Sequence, residues 1–440
     1  MTAARATPLI ASQKLKIGRG TAELEGKCGV LSGFDPSEGK TQHRRAGARQ
    51  RTTATGRRLS MPRTSLALSL VLAILTLAPA AIAGSDTGDV EIHGYGGWSY
   101  GRSNADANRY LASSEDGDAR YVNLAIALAS CPSDRVRIST QVWWEAEPGE
   151  EESATVDCAF AEWRVSDALR LRMGQVKHPY GIYTEVFDVG TIRPFFWLPQ
   201  SVYGPSGTVA ESYRGVGLTG SVFAAGIWRF EYDLYGGEMS LEAQDIAAVF
   251  ATEEDSSGTA DAEAPGEGDI RDLVGGRLTI TVPGPEVRIG LSAYTGREKG
   301  SACERHSCLG AHVEYLSDTW SLRSEYTLLK ESAKLTAAAA YVEVARRLGS
   351  SWQIAGRVDH SDTRLEDVDA SAAPSLLDHL DITAGLNYWF HPDFVVKLSS
   401  SRVDGNRFAW PEDEDIRAAI AGDGIRRQTR LVSLGVQFAF

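Results

Sequence analysis

The sequence predicts an all-β fold, a transmembrane antiparallel β-barrel of about sixteen strands. Two observations support this prediction. From Val90 onward the chain repeats segments of about ten residues in which apolar and polar side chains alternate, as in strands with two different faces. Beyond residue 83, no apolar run approaches the roughly 18 residues that a transmembrane helix requires, so strands would have to cross any membrane that the chain enters.

Sixteen alternating segments can be counted along the chain. Their approximate limits are 90–102, 119–130, 135–147, 156–165, 169–178, 213–225, 227–237, 271–282, 286–296, 308–317, 320–331, 336–347, 352–361, 379–390, 394–403 and 428–440. Short turns such as PGP and HPD alternate with long polar connections, of which only the one at 332–335 is short. Short turns at one rim, long loops at the other and an even strand number are typical of bacterial outer-membrane barrels.

The alternation separates an apolar face from a charged face. In the fourteenth segment, Leu380, Ile382 and Leu386 share one face, whereas Asp381 and Asn387 share the other. The polar positions are charged too often for a packed soluble core, so we expect a water-filled interior and a lipid-facing exterior.

Aromatic residues mark the expected membrane boundaries, where their rings are enriched in barrels. The predicted girdle at the turn rim consists of Trp228, Trp320, Trp352, Tyr388, Phe390 and Phe394, and the one at the loop rim of Trp98, Tyr100 and Trp144.

The chain ends in LVSLGVQFAF, an amphipathic segment that closes on Phe440. This ending resembles the last strand of outer-membrane porins, and the likeness in architecture covers residues 84–440. The resemblance implies a passive diffusion channel for small hydrophilic or ionic solutes in the outer membrane of a Gram-negative bacterium. It also implies a homotrimer embedded in outer-membrane lipid and recognition of Phe440 by the barrel assembly machinery.

A second, local likeness lies in RMGQVKHPYG, residues 172–181. It is similar to a strand-end motif of phosphate-selective porins. The lysine-rich loop of those channels is missing, because the corresponding loop here carries no lysine. Phosphate selectivity is therefore not implied.

The third long loop, residues 179–212, is the candidate pore constriction. In porins this loop folds inward, and the resemblance implies the same here. At about 3.3 Å per residue the loop can extend on the order of 100 Å, enough to enter a sixteen-stranded lumen and return. Phe195, Phe196 and Trp197 would then anchor it against the inner wall. The alternatives are an external cap and a contact with a neighbouring subunit.

Charges on this loop and on the wall beside it are the candidate determinants of selectivity. The loop carries Glu185, Asp188 and Arg193. The predicted wall cluster on strands three to five consists of Arg135, Arg137, Arg164, Arg170 and Arg172. The alternative is that these charges only keep the interior hydrated.

The N-terminal part carries a targeting signal. MPRTSLALSLVLAILTLAPAAIA, residues 61–83, has a basic start, an apolar centre and a small-residue exit, the pattern of a signal peptide. A single membrane anchor is the alternative. Residues 1–60 precede this signal and show no periodicity, so we expect a non-native extension from a misassigned start, or otherwise a basic flexible presequence.

The charge of the remaining chain argues against nucleic-acid binding. Residues 1–83 contain 13 Lys and Arg but 4 Asp and Glu, and their removal leaves 32 basic and 54 acidic residues, a net charge of −22. A strongly acidic protein repels a phosphate backbone.

Four cysteines follow residue 83. Cys303 and Cys308 bracket ERHS, and a small disulfide ring is predicted for an oxidising compartment. A metal site through His306 is the alternative, but two cysteines and one histidine give too few ligands, so no metal or cofactor is predicted. Cys131 falls at a turn and Cys158 near the opposite rim, farther apart than the ~7 Å that a disulfide spans. Both are therefore free, or the strand register there is wrong.

Two other classes of function remain open. An outer-membrane hydrolase would need a catalytic motif, but the sequence contains no G-x-S-x-G and no H-E-x-x-H, so no catalytic residue is predicted. A surface receptor or adhesin would use the barrel only as an anchor and its acidic loops for binding, although acidic loop tips are usually just solvated.

Overall fold

The computed structural model describes residues 90–104, 110–147, 152–204, 208–224, 227–241, 268–284, 287–298, 305–331, 335–366, 374–408 and 426–440. The predicted signal peptide and the segment before it lie outside these residues. No helix among the described residues is long and apolar enough to span a membrane.

The described residues form sixteen strands, which confirms the predicted number. They are β1 (Val90–Ser103), β2 (Asp118–Ser133), β3 (Val136–Ala146), β4 (Ser153–Ser166), β5 (Leu169–Lys177), β6 (Ser212–Ala224), β7 (Trp228–Leu241), β8 (Gly268–Val282), β9 (Val287–Glu298), β10 (Arg305–Leu316), β11 (Trp320–Glu331), β12 (Leu335–Leu348), β13 (Trp352–Leu365), β14 (Asp378–His391), β15 (Phe394–Asp404) and β16 (Gln428–Ala439). Several strands, such as β8 and β13, extend a few residues beyond the predicted limits at the loop rim.

The sheet closes on itself. Each strand pairs antiparallel with its neighbours in sequence, and β1 pairs with β16. At this seam the backbone N–H of Gly94 donates to the carbonyl of Phe440 over 2.8 Å, and the N–H of Phe440 donates back over 2.9 Å. The Phe440 ring lies where a Cβ on residue 94 would be, so a larger residue there would displace the ring. Closure leaves the sheet without a free edge.

The two faces of the strands differ as predicted. On β14, Leu380, Ile382 and Leu386 are 38%, 52% and 41% exposed, whereas Asp381 and Asn387 are at most 1% exposed. In a closed barrel the exposed apolar side chains form the outer belt and the buried polar ones the inner face. We call this inner side the polar face.

The short turns gather at one rim and the long connections at the other. Trp228, Trp320 and Trp352 each begin a strand directly after a short turn, and all three are more than a third exposed. They lie where the turn-rim girdle was predicted.

Candidate functional site

The connection between β5 and β6 is the most buried loop of the described chain. Its described part contains 3₁₀ turns at Thr184–Val186 and Gly190–Ile192 and one helical turn at Gln200–Tyr203. Proline and glycine keep the rest irregular. Nearly all of residues 178–204 are nevertheless buried or half-buried, and only Ile192 is exposed. We call residues 178–204 the L3 segment.

Two phenylalanines of the L3 segment pack against glycines of the barrel wall. Phe195 and Phe196 are each 2% exposed. The Phe195 ring lies 2.8 Å from the position that a Cβ atom on Gly385 of β14 would occupy. The Phe196 ring occupies the space that a Cβ atom on Gly435 of β16 would take. Glycine in the wall therefore makes room for the aromatic rings of the segment.

The third predicted anchor, Trp197, is half-buried and packs edge-on against Tyr121 of β2, with ring centroids 4.6 Å apart. Its carbonyl accepts a hydrogen bond of 2.8 Å from Arg357 of β13. The guanidinium of Arg357 also lies 4.9 Å from the centre of the Phe195 ring, within the range of a cation–π contact.

Wall side chains also satisfy the backbone of the segment, which has no regular element to do so. The ammonium of Lys397 on β15 lies 2.8 Å from the carbonyl of Gly190, 2.6 Å from that of Arg193 and 3.2 Å from that of Phe195. The amide of Asn387 donates to the Pro194 carbonyl over 2.7 Å. Buried carbonyls without donors are costly, so these bonds fix the path of the segment.

Tyrosines tie the two ends of the segment to glutamates on the wall. The hydroxyl of Tyr183 donates to Glu343 of β12, and that of Tyr203 donates to Glu325 of β11, each over 2.6 Å. Burial raises the pKa of Tyr183 and of Tyr203 well above the ordinary value of 10.0. Both hydroxyls therefore keep their protons and act as donors.

The predicted loop acid Glu185 faces arginines of the wall. It lies 3.5 Å from Arg172 on β5 and forms a close ion pair with Arg277 on β8, which also pairs with Asp233 over 2.9 Å. Burial alone would raise the pKa of Glu185, but Arg277 and Arg172 outweigh this effect and lower it below 4.5. Glu185 is therefore ionised at neutral pH.

The other two charged residues of the segment, Asp188 and Arg193, have partners of different kinds. Asp188 pairs with Lys177 at the end of β5 over 2.9 Å and accepts a hydrogen bond from Gln141, so its partner is a lysine and not an arginine. Arg193 is buried and donates to the carbonyl of Phe187 over 2.9 Å. Burial lowers the pKa of Arg193.

Of the five arginines in the predicted wall cluster, only Arg172 contacts a loop acid. Arg135 is exposed in the β2–β3 turn, and Arg164 donates to the Asp134 carbonyl in that turn. The remaining two pair with carboxylates on the wall: Arg137 lies 2.9 Å from Glu91, and Arg170 lies 3.9 Å from Glu162. These four positions lie toward the turn rim, whereas the loop acids meet the wall further up the strands.

Sequence reasoning missed a row of basic residues on the polar face. Its members are Arg277, Arg323, Arg357 and Lys397 on β8, β11, β13 and β15. Each arginine pairs with an acid on an adjacent strand; Arg323, for example, lies 2.9 Å from Glu314. The strand alternation placed all four at polar positions, and this signal could have identified them.

The predicted disulfide pairs Cys308 with Cys303, which lies outside the described residues. Cys308 is a free, buried thiol on the polar face, and its Sγ lies 3.2 Å from the hydroxyl of Tyr180. Cys308 therefore packs against the L3 segment. Cys131 and Cys158 are free too, in line with the first of the two readings given above.

Comparison with solved structures identifies the fold as that of sixteen-stranded outer-membrane porins. OmpF of Salmonella typhi, in a complex with daunomycin, is 12% identical with a TM-score of 0.52, over 81% of this chain and 98% of that one. The outer-membrane channel DcaP of Acinetobacter baumannii is 8% identical with a TM-score of 0.52, over 81% and 99%. An anion-selective porin from Comamonas acidovorans is 10% identical with a TM-score of 0.51, over 80% and 100%. No family model and no curated protein matches the chain.

Proposed function

We propose that the protein is a passive diffusion channel for small hydrophilic or ionic solutes in the outer membrane of a Gram-negative bacterium. The observation that carries this proposal is the closed sixteen-stranded barrel with an apolar exterior and a charged polar face. Such an interior is suited to water and ions and not to lipid. The likeness of the fold to porins and channels agrees with this function.

We further propose that the L3 segment narrows the lumen. Its contacts with the polar face support this, since they reach from Gln141 on β3 to Lys397 on β15. An external cap would instead contact the strand ends and the other long connections. Glu185 is 32% exposed and Arg172 is 19% exposed, so both side chains retain contact with water. We assign Glu185, Arg172 and Arg277 to the constriction.

Conductance in a planar lipid bilayer tests the proposed function. The purified full-length barrel should give ohmic current steps in KCl solution. A barrel that inserts but passes no ions would contradict the channel and favour the receptor or adhesin. We assign no catalytic residue, so hydrolysis of lipid or peptide substrates by the inserted barrel would also contradict the proposal.

Assembly is proposed on the porin resemblance. We expect a homotrimer in outer-membrane lipid and recognition of the C-terminal strand by the barrel assembly machinery. Phe440 is 68% exposed, so its ring is accessible at the outer surface. Deletion of Phe440 should reduce the fraction of the protein that reaches the membrane in folded form, measured by heat-modifiable migration in gels.

A further inference from the structure

Three arginines lie together on the outer face of the barrel near the loop rim. Arg402 of β15 and Arg430 of β16 are directly opposite each other in the strand register. Arg102 of β1 is opposite Val432, the next residue of β16 on the same face as Arg430, so it is the diagonal neighbour of Arg430. All three arginines are exposed. We call them the arginine patch.

The strand alternation places the arginine patch on the side that faces lipid. Ser401 and Leu431, which alternate with it, are 5% and 2% exposed, whereas Val432 and Leu398 on its own face are 48% and 45% exposed. The arginines of β15 and β16 lie two to four residues, roughly 7–13 Å, beyond these apolar side chains. The patch therefore continues the apolar belt toward the loop rim, at the level of the headgroups of the outer leaflet.

Within the described part of the chain, the arginine patch has no ion-pair partner. Arg102 donates from Nε to a backbone carbonyl of the β1–β2 connection over 2.9 Å. Asp404 is within range of the charge of Arg402, but its two carboxylate oxygens accept hydrogen bonds from Arg427 over 2.5 Å and from Gln428 over 2.9 Å. The two opposed arginines therefore face each other without an acid between them, and like charges directly opposite in a sheet are destabilising.

The surroundings of the arginine patch do not supply the missing negative charge. Arg427 contacts Asp378 as well as Asp404, over 3.2 and 2.5 Å. With the three arginines of the patch, these residues amount to four arginines and two acids, a net charge of +2, although the chain after residue 83 carries −22. A basic site on a strongly acidic protein favours an anionic ligand.

We propose that the arginine patch binds the phosphate group of a phosphorylated glycolipid of the outer leaflet. Arginine suits this ligand, because its planar guanidinium donates two parallel hydrogen bonds to phosphate oxygens. One phosphate monoester carries a charge of about −1.5 to −2 near pH 7, which matches the net charge of the site.

The position of the patch favours a lipid over a free phosphate ion. An anion between Arg402 and Arg430 removes their repulsion in either case. A lipid also lays its acyl chains along the belt at Val432 and Leu398, which a free ion does not use. Basic side chains beside a membrane attract anionic headgroups for the same reason.

The test is a titration of the folded full-length protein in detergent, followed by native mass spectrometry. The probes are lipid A with two phosphates, the same lipid without phosphates, and inorganic phosphate alone. We expect the phosphorylated lipid to bind about tenfold more tightly than the dephosphorylated one. Inorganic phosphate in excess should not displace it.

Substitutions test the residues of the patch. The double variant Arg402→Gln/Arg430→Gln should bind the phosphorylated lipid about tenfold more weakly. Arg402→Lys keeps the charge but loses the planar donor pair, and it should weaken binding about threefold. Lys330→Gln is the matched control, because Lys330 is exposed at the loop-rim end of β11 and its register partners are Ser307 and Thr336, so it is a single charge. Its loss should change binding by less than about twofold.

Heat-modifiable migration checks that each variant is folded, and Arg402→Lys suffices if the double variant does not fold. The proposal is overturned if the two lipids bind equally well, because the belt alone would then hold the lipid. It is equally overturned if inorganic phosphate displaces the lipid, since the site would then take a free ion. Unchanged lipid binding in the patch variants, with or without loss of an oligomer, also overturns it, because the chain itself or a second copy would then neutralise the arginines.

Discussion

Replacement of Glu185 by Gln should shift the ion selectivity of the channel toward anions. The surrounding group contains three arginines and three carboxylates, so its charges balance: Arg170, Arg172, Arg277, Glu162, Glu185 and Asp233. The variant keeps nearly the same shape but leaves one positive charge in excess at the proposed constriction.

The size of the shift follows from Coulomb's law. A unit charge about 5 Å from a passing ion in water changes the energy of that ion by about 0.8 kcal/mol, which corresponds to a factor of about four. Screening by ~0.1 M salt, with a Debye length of about 10 Å, reduces the factor to about two. Because the substitution favours a passing anion and disfavours a passing cation by the same energy, the ratio of anion to cation permeability should rise by the square of this factor, about four- to sixteenfold.

The assay is the reversal potential of single channels across a KCl gradient. Glu91→Gln is the matched control, because Glu91 pairs with Arg137 toward the turn rim, away from the proposed constriction, and its loss should shift the potential by less than half as much. The pKa of Glu185 lies below 4.5, so its contribution should stay constant between pH 7 and pH 5. An unchanged reversal potential in Glu185→Gln, or one equal to that of the control, would refute the assignment of Glu185 to the constriction.

Three further predictions concern the L3 segment. Burial lowers the pKa of His178 to about 4 from 6.5, so the unfolded chain takes up the proton first as pH falls. The contribution of His178 to the free energy of unfolding is present above pH 6.5, and this free energy, measured by urea unfolding, should decrease by about 2 kcal/mol from pH 7 to pH 5. A His178→Gln variant with the same dependence on pH would contradict this prediction. Gly435→Ala should displace Phe196, lower the free energy of unfolding by about 1–3 kcal/mol and speed proteolysis within the segment. Gly356→Ala is the control: no atom lies within 4 Å of a Cβ there, so the rate of proteolysis should not change. Tyr183→Phe removes a hydrogen bond to a charged acceptor, so a double-mutant cycle with Glu343→Gln should give a coupling of about 1–3 kcal/mol, and a coupling near zero would exclude this tether.

The sequence was sufficient to predict the barrel because strand alternation is a local signal. Leu380 and Asp381 are neighbours in a strand and therefore lie on opposite faces of the sheet, independently of contacts with distant parts of the chain. The number of strands and the face on which each side chain lies were therefore predictable from the sequence. The girdle positions followed from the same reading, since Trp320 comes directly after a turn.

The charge pairs of the candidate site were not predictable in this way, because their partners are distant in sequence. Arg277 reaches Glu185 across 92 positions, and Lys397 reaches the Gly190 carbonyl across 207. Which pairs form depends on the register of the strands and on the path of the segment across the polar face. The predicted wall cluster lies on the strands next to the loop in sequence, whereas strands more distant in sequence also contact the loop.

The position of the L3 segment is therefore encoded mainly in the wall and not in the loop. The segment contributes carbonyl groups and aromatic rings, whereas β13 to β16 contribute the donors to these carbonyls and the glycine recesses that receive the rings. A loop of the same sequence on another barrel would lack the donors of Lys397, Asn387 and Arg357, and its buried carbonyls would be unsatisfied. For the same reason, similarity of the local motif at residues 172–181 is a weak guide to selectivity, because the residues that fix the constriction lie on strands outside that motif.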